Sequence, residues 1–232
     1  KSRLGFRSRR TGSSDAPVAT FPIRFKRLRR LWRRLSDQAA ELDRRRGPTR
    51  DVAVISYPKS GRTWLRFMLS TTGVKLLFAH AGAENSEASL LDEIRDRPAK
   101  WRDWRVVFLF RDPRDTLVSS YFQATKRLKT SKRFDGTIGE FLRSPRYGLA
   151  KIAGFNLLWL ESASQFRDFT AVSYEDLHKD APGELARVMH FATANPADER
   201  KVRRAVEAGR FENMRKMESA LGGKMNERTK LG

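Results

Sequence analysis

The sequence predicts an α/β fold: one three-layer domain around a central, mostly parallel sheet, spanning residues 50–232, with a basic helix ahead of it. Three observations carry this expectation. Short apolar, β-branched runs alternate along the chain with stretches of helical periodicity, the pattern of strands joined by crossover helices. The first run, Asp51-Val52-Ala53-Val54-Ile55-Ser56, is nearly continuous, as expected of a strand buried on both faces. The 232 residues, 39% hydrophobic and 10% aromatic, suffice for one good core and are tight for two.

The elements follow in order. Residues 1–19, rich in Ser, Gly and Arg, read as a flexible lead-in. Phe21, Phe25, Leu28, Trp32, Leu35, Ala39 and Leu42 then recur at spacings of four and three, one apolar stripe of a helix over 20–46 whose other face is filled with arginine. That stripe can pack on the domain, or the basic face can lie on an anionic membrane surface. After the strand at 51–56 comes a Pro/Ser/Gly loop and a helical run from Trp64 to Ser70. Val74 to Ala79 is a second strand, Glu87 to Arg97 a helix, and Trp104 to Phe110 a third strand. Helices are expected at Asp115 to Lys129 and Ala153 to Phe166, a fourth strand at Thr170 to Tyr174, and a helix from Pro182 to Thr193. No internal repeat is visible.

Composition narrows the chemistry. With 48 Lys+Arg against 27 Asp+Glu the chain carries a formal charge of +21, which favours anionic partners. Of these residues, 16 basic and 4 acidic ones fall in the first 50 positions, so the excess is concentrated there. The absence of cysteine excludes disulfide scaffolds, thiolate metal sites and cysteine nucleophiles. The three histidines, His80, His178 and His190, show no metal-ligand spacing, and no metal is expected. No apolar run approaches the roughly 20 residues that span a bilayer, and no signal-type apolar segment opens the chain. The expected location is cytoplasmic, with peripheral membrane contact through the basic helix as a variant. The first residue is Lys rather than Met, which leaves room for an upstream targeting segment.

Two segments carry the chemistry. The first is Tyr57-Pro58-Lys59-Ser60-Gly61-Arg62-Thr63-Trp64, a loop between strand and helix. A glycine there lets the backbone bend around an anion, consecutive N–H groups cradle it, Ser60 and Thr63 add hydroxyl donors, and Lys59 adds a mobile positive charge. It is no Walker A loop, because Lys59 precedes the glycine instead of following it. The second is Phe110-Arg111-Asp112-Pro113-Arg114-Asp115, in which Arg111 emerges at the end of an apolar strand and Ser119 follows one turn beyond Asp115. A strand end is where open α/β sheets place ligand contacts, and arginine suits bidentate grip on a phosphate.

With these residues in view the chain resembles the PAPS-dependent sulfotransferases, which use 3′-phosphoadenosine-5′-phosphosulfate as donor. Y-P-K-S-G-x-T-W is similar to that family's 5′-phosphosulfate loop, and R-D-P-R-D with a serine eight residues past the first arginine is similar to its 3′-phosphate motif. Tyr174-Glu175-Asp176-Leu177 and Phe211-Glu212-Asn213-Met214 resemble two further segments, so the likeness covers about residues 50–217. The resemblance implies a P-loop NTPase-like fold and a sulfuryl transfer from PAPS to a hydroxyl or amine. It implies Lys59 as the catalytic lysine, Ser60, Gly61, Arg62 and Thr63 as 5′-phosphate ligands, and Trp64, Tyr174 and Phe211 around the adenine. Arg111 and Ser119 become the 3′-phosphate ligands. His80, at the end of the second strand, stands where the family carries its base, with Glu84 and Glu87 as alternatives.

Three departures are visible. Arg62 occupies a position where many relatives carry Thr or another small polar residue. The histidine is flanked by Ala79 and Ala81 instead of the family's K-T-H. The glycine-rich basic segment that closes the family's cofactor site has no counterpart beyond Leu221-Gly222-Gly223-Lys224, and is absent or beyond the end. The expected partner is a small-molecule, glycan or lipid acceptor, with nucleic acid disfavoured and the oligomeric state open. Two other readings remain: a P-loop kinase-like phosphotransferase, and a basic nucleic-acid- or membrane-binding module.

Overall fold

The computed structural model describes residues 52–83, 90–127 and 134–220, with side chains described except at 126–127 and 216–220. The lead-in at 1–19, the basic helix at 20–46, Glu84, Glu87 and the glycines at 222–223 lie outside the described residues.

Four strands form one parallel sheet in the order β2-β1-β3-β4: β1 Val52–Ser56, β2 Leu77–Ala79, β3 Arg105–Phe110 and β4 Asp168–Ser173. Side-chain alternation explains the three layers. Ala53, Ile55, Val106, Phe108, Phe110, Phe169 and Ala171 point to one face, and Val52, Val54, Val107, Leu109 and Val172 to the other. The first face is covered by Leu117 of α2 (Pro113–Phe122), Phe141 of α3 (Ile138–Arg143), and Ile152, Phe155 and Trp159 of α4 (Leu149–Glu161). The second is covered by Leu65, Met68 and Leu69 of α1 (Arg62–Thr72) and by Leu177 of α5 (Tyr174–Lys179). Leu185 and Val188 of α6 (Ala181–Thr193) and Val202 and Ala205 of α7 (Glu199–Ala208) complete that layer. Both layers meet the sheet largely through apolar side chains, with Arg187 of α6 donating to the Thr170 hydroxyl and the Ala171 carbonyl of β4, and the strands therefore read as nearly continuous apolar runs.

Local chemistry sets the helix starts. Asp112 caps α2 by accepting from the Arg114 N–H, with Pro113 at the first helical position. Thr137 and Glu140 form a reciprocal capping box on α3. Ser173 caps α5, Asp180 caps α6 and Asp198 caps α7. The final helix among the described residues, α8, spans Phe211–Ala220.

Several expectations need correction. The helix anticipated over 87–97 is, in its described part, a single 3₁₀ turn at Asp92–Ile94, and a second 3₁₀ turn, Pro98–Trp101, follows just beyond it. Of the apolar residues described at 90–97 only Leu91 and Ile94 pack on the core, and Pro98 has no N–H with which to continue a helical ladder. The helix anticipated from Asp115 starts two residues earlier and ends at Phe122, followed by a π-type turn at Gln123–Arg127. That anticipated at 153–166 runs instead from Leu149 to Glu161. The second strand is only three residues long, an edge strand with Leu77 exposed.

Candidate active site

Parallel strands deliver their C-terminal ends to one rim. Ser56 pairs with Leu109, and Phe110 with Ser173, so β1, β3 and β4 end level and the residues that follow them meet.

After β1 the chain turns sharply: the Ser60 N–H donates to the Tyr57 carbonyl at 3.3 Å. Lys59 and Gly61 both take left-handed backbone conformations, with φ of 72° and 91°. The glycine adopts this freely, but for lysine it is an unfavourable conformation, of the kind that collects at ligand-binding loops. The N–H groups of Trp64 and Leu65 both donate to the Gly61 carbonyl, which starts α1 with no side-chain cap. The Ser60 hydroxyl is buried and has no hydrogen-bond partner among the described residues.

After β3, Arg111 is held from several sides. Its carbonyl accepts from Asn156 Nδ2 at 3.3 Å, and its guanidinium lies 3.6 Å from the Asp115 carboxylate. Its Nε is buried without a hydrogen-bond partner among the described residues. Asp112 donates its N–H to Glu175 at 2.9 Å, tying the second loop to the start of α5. The hydrogen bond from Arg114 holds the Asp112 carboxyl below its ordinary range. Ser119 lies one turn beyond Asp115 on α2 and is half-buried.

After β4 comes Tyr174, and its ring joins the two loops. The Arg111 guanidinium sits 4.3 Å over the ring centroid, a cation–π contact. A Cβ on Gly61 would come within 2.5 Å of Tyr174 Cδ2, so the glycine is required for the ring to lie against the loop. Trp64 meets the same ring edge-on at 5.9 Å, and His178 tilts against both at 6.0 and 6.1 Å. Trp64 is fixed from behind, its indole N–H donating to the Gly209 carbonyl at 2.8 Å. Phe211 stands apart. It is 77% exposed at the start of α8 and makes no ring contact with Trp64 or Tyr174.

His80 closes the site on the β2 side. A tight turn follows it, with Ala81 and Gly82 at positive φ and the Ala83 N–H donating to the His80 carbonyl. Its Nδ1 is 2.8 Å from the Ser56 carbonyl, which can only accept. The proton therefore sits on Nδ1, and Nε2 carries the lone pair. Burial, the positive charge of Arg62 and, more weakly, that of Arg66 push the imidazole down to about 4, against the smaller opposing effect of the Ser56 hydrogen bond. At neutral pH it is a neutral base.

Of the anticipated site residues, the loop from Lys59 to Trp64, His80, Arg111 and Tyr174 gather at one rim; Ser119 lies further along α2 and Phe211 stands apart. Sequence reasoning did not single out Asn156, Glu175, His178 or Gly209, which act on the site through backbone groups or ring edges. Among the described residues no group of three His, Asp or Glu converges as a metal cluster would, and no helix is long and apolar enough to cross a membrane.

A sulfotransferase domain model matches residues 97–230, more than half of the chain. Sulfotransferase 2A6 of Mus musculus is 26% identical over an alignment covering 62% of this chain and 60% of that protein. The amine sulfotransferase of Oryctolagus cuniculus is 24% identical, covering 71% of this chain and 63% of its own length. The chain therefore spans about 60% of the length of the curated relatives it matches. Mouse sulfotransferase SULT7A1 complexed with PAP superposes with a TM-score of 0.51 at 16% identity, over 78% of this chain and 72% of that one, a likeness of fold.

Proposed function

Because the chain belongs to the sulfotransferase family, through the domain match over residues 97–230, we propose that it transfers a sulfuryl group from PAPS to a hydroxyl or amine acceptor. One observation carries the residue-level reading: the Tyr174 ring touches both Gly61 of the first loop and Arg111 of the second. Two cationic loops that share one aromatic ring are close enough to hold two anionic ends of a single nucleotide.

The residues present fit that cofactor. Its 5′ end suits the left-handed turn at Lys59 and Gly61 and the orphaned Ser60 hydroxyl, with Arg62 and Thr63 at the start of α1. Its 3′-phosphate suits Arg111, whose buried Nε has no acceptor among the described residues, and Ser119, one turn beyond Asp115 on α2. Its base suits the Trp64–Tyr174 pair, an apolar edge fixed by the Gly209 carbonyl. Phe211 could contribute only by moving from its exposed position.

When bound, the cofactor supplies a sulfuryl group whose bond to a phosphate oxygen breaks as the acceptor oxygen bonds to sulfur. His80 Nε2 takes the proton of the acceptor hydroxyl, and the Ser56 carbonyl keeps the ring in the tautomer and orientation this requires. Lys59 and the loop N–H groups neutralise the negative charge that develops on the phosphate side. The charge is balanced by side chains and amides, and this reading calls on no metal. A kinase-like phosphotransferase and a purely nucleic-acid- or membrane-binding module draw no support from the family match.

The test is transfer of label from PAPS to a panel of phenols, sterols, sugars and amines. Lys59→Ala is expected to lose on the order of 10²–10³ in kcat while circular dichroism and melting stay those of the parent. Magnesium-dependent ATP turnover without any PAP binding would replace this reading.

A further inference from the structure

The peptide unit that joins Arg111 to Asp112 is bonded through both of its polar groups. Its carbonyl accepts from Asn156 Nδ2 at 3.3 Å, and its N–H donates to Glu175 Oε1 at 2.9 Å. In a trans peptide these two groups lie in one plane and point in opposite directions. The partners lie accordingly: Asn156 belongs to α4, which covers one face of the sheet, and Glu175 to α5, which covers the other. One peptide plane is thus pinned from two layers, and the Arg111 side chain takes its direction from that plane.

Neither partner is explained by packing. Asn156 is 2% exposed, and its Oδ1 has no hydrogen-bond partner among the described residues. A buried acceptor left without a donor costs stability, and leucine would fill the same space without it, so what asparagine adds is the donor for the Arg111 carbonyl. Glu175 is exposed, in the first turn of α5. That turn is stiff: the Ser173 hydroxyl donates to the Asp176 carboxylate at 2.7 Å and accepts from the Asp176 N–H at 2.9 Å. The residue before Glu175 is Tyr174, whose ring lies 4.3 Å under the Arg111 guanidinium. A single helical turn therefore holds Arg111 twice, by its backbone through Glu175 and by its head group through Tyr174.

Held in this way, the guanidinium still keeps its buried Nε without an acceptor among the described residues. It is oriented but not used up. We propose that Glu175 and Asn156 are positioning residues for the 3′-phosphate of the cofactor: they act on the peptide behind Arg111 and set the direction from which its guanidinium meets the phosphate. The inference rests on the assignment of Arg111 to the 3′-phosphate and extends it to two residues to which sequence reading gave no role. An unpinned arginine can still find a phosphate, but the loop must then be ordered at each binding event, and affinity falls by that cost.

The test is calorimetric titration of PAP and of AMP, which lacks the 3′-phosphate, into the full chain and its variants. Glu175→Ala is expected to weaken PAP by roughly 3- to 10-fold, the scale of ordering one long side chain, and to leave AMP unchanged. Glu175→Gln, whose amide oxygen still accepts from the Asp112 N–H, should keep most of the affinity. Placed on top of Arg111→Ala, Glu175→Ala should weaken PAP no further, because its effect passes through that arginine. Asn156→Leu should show the same preference for harming PAP; should it fail to fold, the exposed Glu175 decides alone. A merely structural role would weaken both ligands alike and add to the loss from Arg111→Ala. Either of those results, a Glu175→Ala that binds PAP as the wild type does, or a Glu175→Gln no better than the alanine overturns the inference while PAP binding by the wild type leaves the sulfotransfer reading standing. A wild-type protein that binds no PAP overturns both.

Discussion

Arg62 is the most informative residue to remove, because its charge acts on a base it need not touch. His80 is held at about 4 against an ordinary 6.5. At 1.36 kcal/mol per unit, the folded protein favours the neutral imidazole by about 3 kcal/mol over the imidazolium. Burial is the largest cause, Arg62 the second, and Arg66 adds to it. Arg62→Ala removes the second cause and leaves the first, so the midpoint should rise by on the order of one unit yet stay below 6.5. The acid limb of kcat/KM, which reports the free enzyme, should move by the same amount, with no proton-linked change at pH 7. Stability follows with a definite sign. A histidine with a depressed folded value contributes fully above 6.5 and loses that contribution as the pH falls through about 4, because the unfolded chain binds the proton first. The wild type should therefore lose stability between those values, and Arg62→Ala should lose about 1 kcal/mol less. Carbon-13 histidine NMR against pH measures the midpoint, and urea midpoints at two pH values measure the linkage. A wild-type midpoint near 6.5, or one unmoved by Arg62→Ala, refutes the electrostatic argument. A midpoint that moves while the rate limb does not refutes His80 as the base.

Three further perturbations separate the parts of the site. Arg111→Ala should weaken PAP by roughly 10- to 100-fold, the value of a charge-assisted hydrogen bond, and AMP much less; equal weakening in a titration would deny Arg111 the 3′-phosphate. Gly61→Ala introduces a Cβ 2.5 Å from Tyr174 Cδ2 at a φ of 91°. It should cost about 1–3 kcal/mol in chemical denaturation and loosen PAP with it; a fully stable, tightly binding variant would mean that the loop does not need the close approach of the ring. Asp168→Ala removes the carboxylate 3.2 Å from the buried Arg105, at the opposite ends of the strands from the site, and leaves that guanidinium its Phe191 ring contact but not this counter-charge. It should destabilise by about 3–5 kcal/mol while PAP affinity in the remaining folded protein is unchanged; a matching loss of affinity would show that the two rims are coupled.

The sequence disclosed the fold where burial is symmetric. β1, β3 and β4 are covered on both faces, so Val52 and Val54 are as apolar as Ala53 and Ile55, and the runs stand out. β2 lies at the edge with Leu77 exposed, and its start was placed three residues early. α7 escaped notice because its apolar side is only Val202, Ala205 and Val206 among Arg and Glu, too few to mark a period against that charge. α3 was overlooked although its capping pair, Thr137 and Glu140, stands in the sequence at the expected spacing. The loop at 57–64 and Arg111 were legible because their residue types are chemically unusual behind a strand. The Gly209 carbonyl that fixes Trp64 lies 145 residues away, and a backbone acceptor has no sequence signature. Phe211 shows the opposite error: its type suits an adenine, but α8 starts where the ring faces outward.

What unites two motifs about 50 residues apart is strand parity as much as motif chemistry. A parallel sheet must return every strand to the same rim, so the residue after each strand becomes a ligand position whatever the length of the crossover. Along β3, Phe108 and Phe110 face one layer while Val107 and Leu109 face the other, and Arg111 is the first residue free of both. Tyr174 has the same place after β4, and the turn at Tyr57–Gly61 after β1. An alanine inserted into β3 between Val107 and Phe108 would carry Arg111 one position past the rim, or else rotate every upstream side chain to the wrong layer. Either way Arg111 would leave the Tyr174 ring, and the second anionic pocket would be lost although no residue of either motif had changed.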